Sequence, residues 1–538
     1  LGNVTSIGTN AFNNCASLSG KLTIPDSVKT LNSYAFSSCK NINEIEFSKN
    51  LEVIGYESFA NCTSLKKITI PDNIKTIENC AFENCSAVTE IELGKGLTQL
   101  GTSNGYYYNP FYNMTSVKKI TFNTEKVPTT PCADTFEYMN NLETVYVPVD
   151  GYSDYVTRFS PYINNARIVM ISDSDFVIKD GVLLQYSGTD TDVVIPDDVT
   201  EIGDSAFKNN TNIKKVTFSK NIKKINQSAF YSCTNLETVI FNNLISSIGN
   251  SAFYGCTKLS GVLKISENTR SVGNYAFANC SSLTSVEIAS NNEETKIGDC
   301  SFQNDTSIKS ISLGNVTSIG KYAFDNCKGI NTKVQFNDTL KTIGEYAFRN
   351  CSNIIDTLVI PTSVITVATG AFQNCSSIAN VEIPDSLTRI SAYTFDGCKS
   401  LESIEVPDSV TIIDNQAFNN CSSVETVTLG KNVQTIGSYN NYYYNPFYGM
   451  NSVKEFTFNG DTLPSASFND IFYSMNRLQT VYVTLKAYKS FGYTYSAYIN
   501  NARYKVSGYK DDFIVNDKNE LLLYQGNDTV VTIPENVE

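Results

Sequence analysis

The stretch Leu65-Lys66-Lys67-Ile68-Thr69-Ile70-Pro71-Asp72-Asn73-Ile74-Lys75-Thr76-Ile77-Glu78-Asn79-Cys80-Ala81-Phe82-Glu83-Asn84-Cys85 holds one complete structural unit. Ile68 and Ile70 flank Thr69, the alternation of a short strand with one buried face. Pro71 has no N–H to offer a ladder and ends that strand. Ile74 and Ile77 supply the apolar side of the return. Ala81, Phe82 and Cys85 fall within one helical turn, which predicts a short 3₁₀ or α turn there.

The closing Ala-Phe-x-x-Cys recurs as Ala11-Phe12…Cys15, Ala35-Phe36…Cys39, Ala229-Phe230…Cys233 and Ala417-Phe418…Cys421. Phe59 to Phe82, Phe207 to Phe230, Phe230 to Phe253 and Phe395 to Phe418 are each 23 residues apart, and other intervals are 22, 24 or 25. A period of that size marks a repeat architecture. Each unit has too few apolar residues for a core of its own and must bury its face against its neighbours. The 538 residues therefore need not split into several globular cores. The prediction is a solenoid with about 23 residues per coil. Its short parallel strands stack about 4.8 Å apart in one continuous sheet, with the turns on the opposite side.

Composition narrows the function. The net charge is −13, and no long basic run exists to replace the counterions of a nucleic acid. No apolar run approaches the length of a membrane-spanning helix. Residue 1 is a Leu inside a repeat, so the sequence reads as part of a longer chain whose targeting segments are not in view. Histidine is absent, which removes the commonest general base and the commonest transition-metal ligand. There is no strand–Gly-rich loop–helix, no G-x-x-x-x-G-K-[ST] and no CxxC pair. No enzyme activity, cofactor or metal is expected.

Of the 15 cysteines, twelve stand three residues after a repeat Phe: 15, 39, 62, 85, 233, 256, 280, 327, 351, 375, 398 and 421. Residues fixed by repeat phase read as a buried ladder of small apolar thiols; ladder disulfides or metal binding are the alternatives. Cys80, Cys132 and Cys300 fall off the ladder and are expected to be more accessible. Asn210 and Asp305 replace the ladder Cys after Phe207 and Phe302, and one-residue insertions occur at Ser19–Gly20 and Ser260–Gly261.

The pattern L-x-x-I-x-I-P-x-x-V-x-x-I-G-x-x-A-F-x-x-C is closely matched by Leu401-x-x-Ile404-x-Val406-Pro407-x-x-Val410-x-x-Ile413-x-x-x-Ala417-Phe418-x-x-Cys421, and in part by Val199-x-x-Ile202-Gly203-x-x-Ala206-Phe207. It resembles the BspA-like (Treponema-type) leucine-rich repeat family over most of the chain. The resemblance implies a leucine-rich-repeat solenoid with a curved sheet. It also implies a surface or secreted location and adhesion to protein or glycan ligands on matrix or cells.

A longer repeat overlies the first. Gly105-Tyr106-Tyr107-Tyr108-Asn109-Pro110-Phe111-Tyr112 returns as Asn441-Tyr442-Tyr443-Tyr444-Asn445-Pro446-Phe447-Tyr448, an offset of 447 − 111 = 336, and Tyr162-Ile-Asn-Asn-Ala-Arg167 returns at Tyr498 with the same offset. Between the arrays, Tyr152, Tyr155, Val156 and Phe159 have the spacing of a short amphipathic cap helix. The segment from Asp175 to Leu184 reads as a hairpin turning at Asp180-Gly181. The expected organisation is a first cassette over 1–174, a second over 175–511 and the opening of a third over 512–538.

Two surfaces are candidates for binding. The residue between the buried strand positions faces the concave side: Glu46, Thr69, Glu92, Thr121, Thr217, Ile240, Lys264, Glu287, Glu382, Glu405 and Thr428. This face is mildly acidic and suits a basic or hydroxyl-rich partner; a plain solvated sheet is the other reading. The second candidate is the pair of tyrosine triplets, Tyr106, Tyr107 and Tyr108 with Tyr442, Tyr443 and Tyr444. Their coils are lengthened to 29 residues (Phe82 to Phe111, Phe418 to Phe447). Tyr offers an apolar plate with a polar tip, favoured at interfaces; packing on the solenoid flank is the alternative. The expected function is a non-catalytic adhesion scaffold. A structural spacer or self-associating fibre subunit is the alternative, and an accessory to a glycan-degrading domain outside these residues is a third.

Overall fold

A computed structural model describes residues 3–101, 109–130, 136, 138–163, 166–289, 294–437, 445–466, 471–494, 499, 502–509, 511–515, 520–526 and 528–533. The chain forms two compact units, Leu1–Val177 and Ile178–Glu538. Both are solenoids of parallel strands.

Each regular coil carries two strands. In the first unit the longer strands Lys67–Ile70, Glu90–Leu93, Lys119–Phe122, Thr144–Val147 and Arg167–Met170 make one parallel sheet. Its register places Ile68 beside Ile91, Ile91 beside Ile120 and Ile120 beside Val145. These side chains are buried and the Lys or Glu before them is exposed, as the alternation demands. The return expected at Ile74–Ile77 is a second, two-residue strand. Val53–Ile54, Thr76–Ile77 and Gln99–Leu100 continue that ladder.

The longer-strand ladder is divided into segments where a single continuous sheet was expected. Ser19–Thr23, Gly261–Ile265 and Asp356–Val359 each open a new sheet. In each strand a left-handed residue (Gly20 at φ 79°, Gly261 at 81°, Asp356 at 72°) coincides with a shift of register. Each is a β-bulge against the following coil, where Asn43, Thr284 or Ala379 is the residue skipped in the register.

The Ala-Phe-x-x-Cys segment forms the expected short turn, with a backbone of its own. It keeps the i→i−3 bonds of a 3₁₀ turn: Ala81 N–H to Glu78 O at 3.3 Å, Glu83 N–H to Cys80 O at 3.0 Å and Cys85 N–H to Phe82 O at 3.3 Å. It is not a helix, because Cys80 and Asn84 have φ of 55° and 57°. Left-handed residues at every fourth position cannot propagate a right-handed helix. The intervening amides reach the next coil instead, Phe59 N–H to Ala81 O at 2.8 Å and Asn61 N–H to Glu83 O at 2.7 Å. Each donor of the turn is thereby satisfied, alternately within its coil and across coils.

Inside, the phenylalanines stack as a spine. Phe230–Phe253, Phe253–Phe277 and Phe277–Phe302 have ring centroids 4.9, 5.0 and 5.4 Å apart with planes within 4°. Beside it runs the cysteine ladder. The fourteen described cysteines are all free thiols. Eleven donate Sγ–H to the carbonyl of the preceding coil's Phe, as Cys351 does to Phe324 O at 3.1 Å and Cys327 to Phe302 O at 3.0 Å. Burial pushes Cys62 up to about 12, and Cys85, Cys351 and Cys375 well above the usual thiol range. The expectation for Cys80 and Cys300 is corrected: both are buried, at 3% and 6% exposure. They sit at the left-handed position two residues before the Phe, with side chains against Glu83 and Tyr275. Cys132 lies outside the described residues.

The first array ends in the cap read from the sequence, a helix over Tyr152–Phe159. Phe159 packs 4.8 Å from Phe136, and the Tyr155 hydroxyl donates to Thr124 O at 3.0 Å. The hairpin turn at Asp180-Gly181 has φ of 52° and 77°, both left-handed as a two-residue turn of that kind requires.

Candidate interaction surfaces

The middle positions of the longer strands do face outward. Glu46, Thr69, Ile240, Lys264 and Glu287 are exposed, and Glu92, Thr121, Thr217 and Thr428 are half-buried. Where Lys and Glu alternate between coils they neutralise one another: Lys21 with Glu46 at 3.2 Å, Lys67 with Glu92 at 3.3 Å, Lys264 with Glu287 at 3.9 Å. Lys21 also holds the Glu46 carboxyl below its usual range. The charge expected of this face is thus largely cancelled in its first half.

Glu382 and Glu405 differ. Both are exposed, and among the described residues neither forms an ion pair. The two lie in adjacent coils but in separate sheets. Glu382 ends the pair Asp356–Val359 and Ile378–Glu382, opposite Val359. Glu405 begins the next sheet, opposite Thr428. The structure brings them to one side of the solenoid without joining them in a ladder.

Tyr106, Tyr107, Tyr108, Tyr442, Tyr443 and Tyr444 lie outside the described residues. Their mounts do not, and the two mounts are the same. On the leading side, Gly101 and Gly437 are left-handed at φ 75° and 68° and donate to Ile77 O and Ile413 O, each at 2.8 Å. On the trailing side, Asn109 and Asn445 are fully buried, and each side-chain oxygen accepts the N–H two residues on, Phe111 or Phe447, at 2.8 Å. Phe82 N–H then bonds Pro110 O, and Phe418 N–H bonds Pro446 O, both at 2.9 Å. The extended coil re-enters register on both sides, with Phe111 and Phe447 each 6.0 Å from the spine ring before them.

A third surface escaped the sequence reading. On the turn side, Tyr231 stacks on Tyr254 at 4.9 Å and Tyr322 on Tyr346 at 5.1 Å. Arg349 lies over both Tyr322 and Tyr346, and its guanidinium is bidentate to Asp325 at 2.9 Å through Nε and Nη2. The signal was present: these residues stand two before or one after a spine Phe, positions that share the outer side of the turn. On the same turn, the Asn374 side-chain amide donates to Asn350 Oδ1 of the preceding coil at 3.0 Å.

Among the described residues there is no metal-ligating cluster, and no helix is long and apolar enough to cross a membrane. A family profile described as the BspA type leucine-rich repeat region matches residues 5–125, 67–152, 184–305, 295–380 and 354–473. No curated protein matches. Solved structures with similar folds include a leucine-rich repeat protein from Bacteroides ovatus (18% identity over 94% of this chain and 87% of that one, TM-score 0.25). Another is a leucine-rich cell surface protein from Faecalibacterium prausnitzii (22% identity, 57% and 97%, TM-score 0.33). A third is the pneumococcal vaccine antigen PcpA (18% identity, 64% and 80%, TM-score 0.28).

Proposed function

Because the chain belongs to the BspA-type leucine-rich repeat family, a family of repeat scaffolds, we propose that it is a non-catalytic adhesion module of a cell-surface or secreted protein. The binding elements of this reading are the two tyrosine triplets, Tyr106–Tyr108 and Tyr442–Tyr444, with Glu382 and Glu405 as a secondary acidic patch. Its ligands are proteins or glycans of a matrix or cell surface. The observation that carries the reading is the identical pair of rigid mounts, Gly101 with Asn109 and Gly437 with Asn445, each holding a Tyr-rich insert of equal length 336 residues apart (445 − 109). Three tyrosines recur in both copies, and rings with an apolar plate and a polar tip are favoured at interfaces. Cassettes over 1–174 and 175–511 would then act as two binding units. Engaging one partner with both raises affinity through effective concentration, without any new contact.

The test is binding of the whole fragment to immobilised matrix proteins and glycans, beside a variant with all six triplet tyrosines changed to Ser. Loss of binding with unchanged circular dichroism is the expected result. Binding that survives the six substitutions refutes the tyrosine site. End-to-end or lateral assembly with no ligand found in the panel would establish the spacer or fibre role instead.

A further inference from the structure

A seam in the second unit runs between the strands Thr238–Ile240 and Gly261–Ile265. The sheet of Asp192–Val194, Lys215–Thr217 and Thr238–Ile240 stops at its third strand, and Gly261–Ile265 begins another. The turn side of the same coils stays closed, with Phe253 and Phe277 stacked at 5.0 Å and Ser247 paired with Ser271. The opening is therefore confined to the strand side, and it holds a groove of about 510 Å³ between Thr238–Asn243 and Leu259–Glu267. It is pinned at one end by Ser260 N–H to Glu237 O at 3.1 Å, and at the other by Ser266 Oγ and Asn268 Nδ2, both donating to Asn243 O at 2.9 and 2.6 Å.

Burial along the seam tells the same story. Val239 and Phe241 are only half-buried, whereas the equivalent Val216 and Phe218 one coil earlier are buried. Ile240 and Val262 flank the groove at 45% and 48% exposure. A Cβ built on Gly261 would meet nothing within 4 Å. Thr238–Ile240 thus presents a strand edge with pairing on one side only, which is the template that accepts an added strand. The walls are uncharged apart from Lys264 and Glu267, and Lys264 is matched by Glu287.

We propose that this seam is an acceptor slot for one short extended segment of a partner protein, uncharged and apolar at alternate residues. Its backbone continues the ladder on the Thr238–Ile240 edge. Its apolar side chains cover Val239, Phe241 and Leu263. The five-residue span between the pinned ends, roughly 16 Å of strand, limits the guest to about five residues. The slot lies on the strand face, shares no residue with the tyrosine mounts, and does not depend on their role.

The probe is a fluorescent pentapeptide of alternating Thr and Val, with a second version N-methylated at alternate amides. Saturable binding to the full chain is expected, with slowed amide exchange at 238–241 and 261–265. Binding should weaken at least tenfold for the N-methylated peptide and for Ile240→Glu combined with Val262→Glu, two exposed positions that leave the core intact. Deleting Gly261, which restores a 23-residue coil and lets the ladder close, should abolish it. The six-Tyr variant should bind the peptide normally, which separates this result from any failure of the adhesion reading. The proposal is overturned by absence of saturable binding, by equal binding of the N-methylated peptide, or by protection elsewhere. Concentration-dependent dimerisation lost in the Ile240→Glu, Val262→Glu variant would likewise overturn it, in favour of a second copy as the guest.

Discussion

Asp305 is the one carboxylate standing in the thiol ladder, and replacing it with Cys should stabilise its coil. The side chain is fully buried; Oδ1 accepts the Cys280 N–H at 2.7 Å, and Oδ2 has no partner. Burial pushes its pKa well above the usual 3.8, against a smaller opposing effect of the Cys280 hydrogen bond. The native state therefore holds a proton that the unfolded chain releases. Stability is greatest below about 3.8, where both states are protonated, and declines as pH rises from there toward the native value. At neutral pH an unsatisfied buried polar atom costs about 1–3 kcal/mol. A Cys at 305 sits in register to donate to Phe277 O, as eleven others do to the Phe of the coil before them. The predicted gain of Asp305→Cys is that 1–3 kcal/mol, read as a roughly 5- to 150-fold rise in amide protection. Because a solenoid opens locally, the assay is hydrogen exchange at the amides of Cys280, Phe302 and Asp305 between pH 4 and pH 8. The advantage of the variant should grow with pH. A flat or inverted pH trend, or a loss of protection in the variant, would refute a buried protonated carboxyl here.

Two further outcomes follow from the same core. Phe253→Ala removes a fully buried ring held between Phe230 and Phe277; it should cost about 3–5 kcal/mol, and chemical denaturation showing less than about 1 kcal/mol would contradict a continuous spine. Denatured, unreduced protein should yield all 15 thiols to alkylation. Native protein at pH 8 should react slowly at Cys62, Cys351 and Cys375, whose thiols burial keeps protonated. Mass spectrometry that finds a disulfide, or rapid native labelling at Cys351, would break the ladder assignment.

What could be read in advance followed what repeats. Phe and Cys recur at one phase, so burial of Phe82 and Cys85 was legible from spacing alone, because only a stacked spine needs the same residue at the same place in every coil. The turn's handedness was harder. Positive φ falls on Asn61 and Asn84, a usual signal, but also on Tyr34, Cys80 and Ser228, where residue type is silent and the cross-coil hydrogen bonds decide. At that position Cys80 and Cys300 are covered one by one, by the Glu83 and Tyr275 side chains, so standing off the ladder does not make them exposed. The insertions at Gly20 and Gly261 were visible as extra letters, but their effect depends on strand pairing between coils, which no single coil encodes. The tyrosine triplets are the reverse case: plain in sequence, with Asn109 and Asn445 beside them held by buried hydrogen bonds. Regularity in this chain specifies the fold, so the breaks in regularity, an added tyrosine loop and an added glycine, are where binding specificity has room to reside.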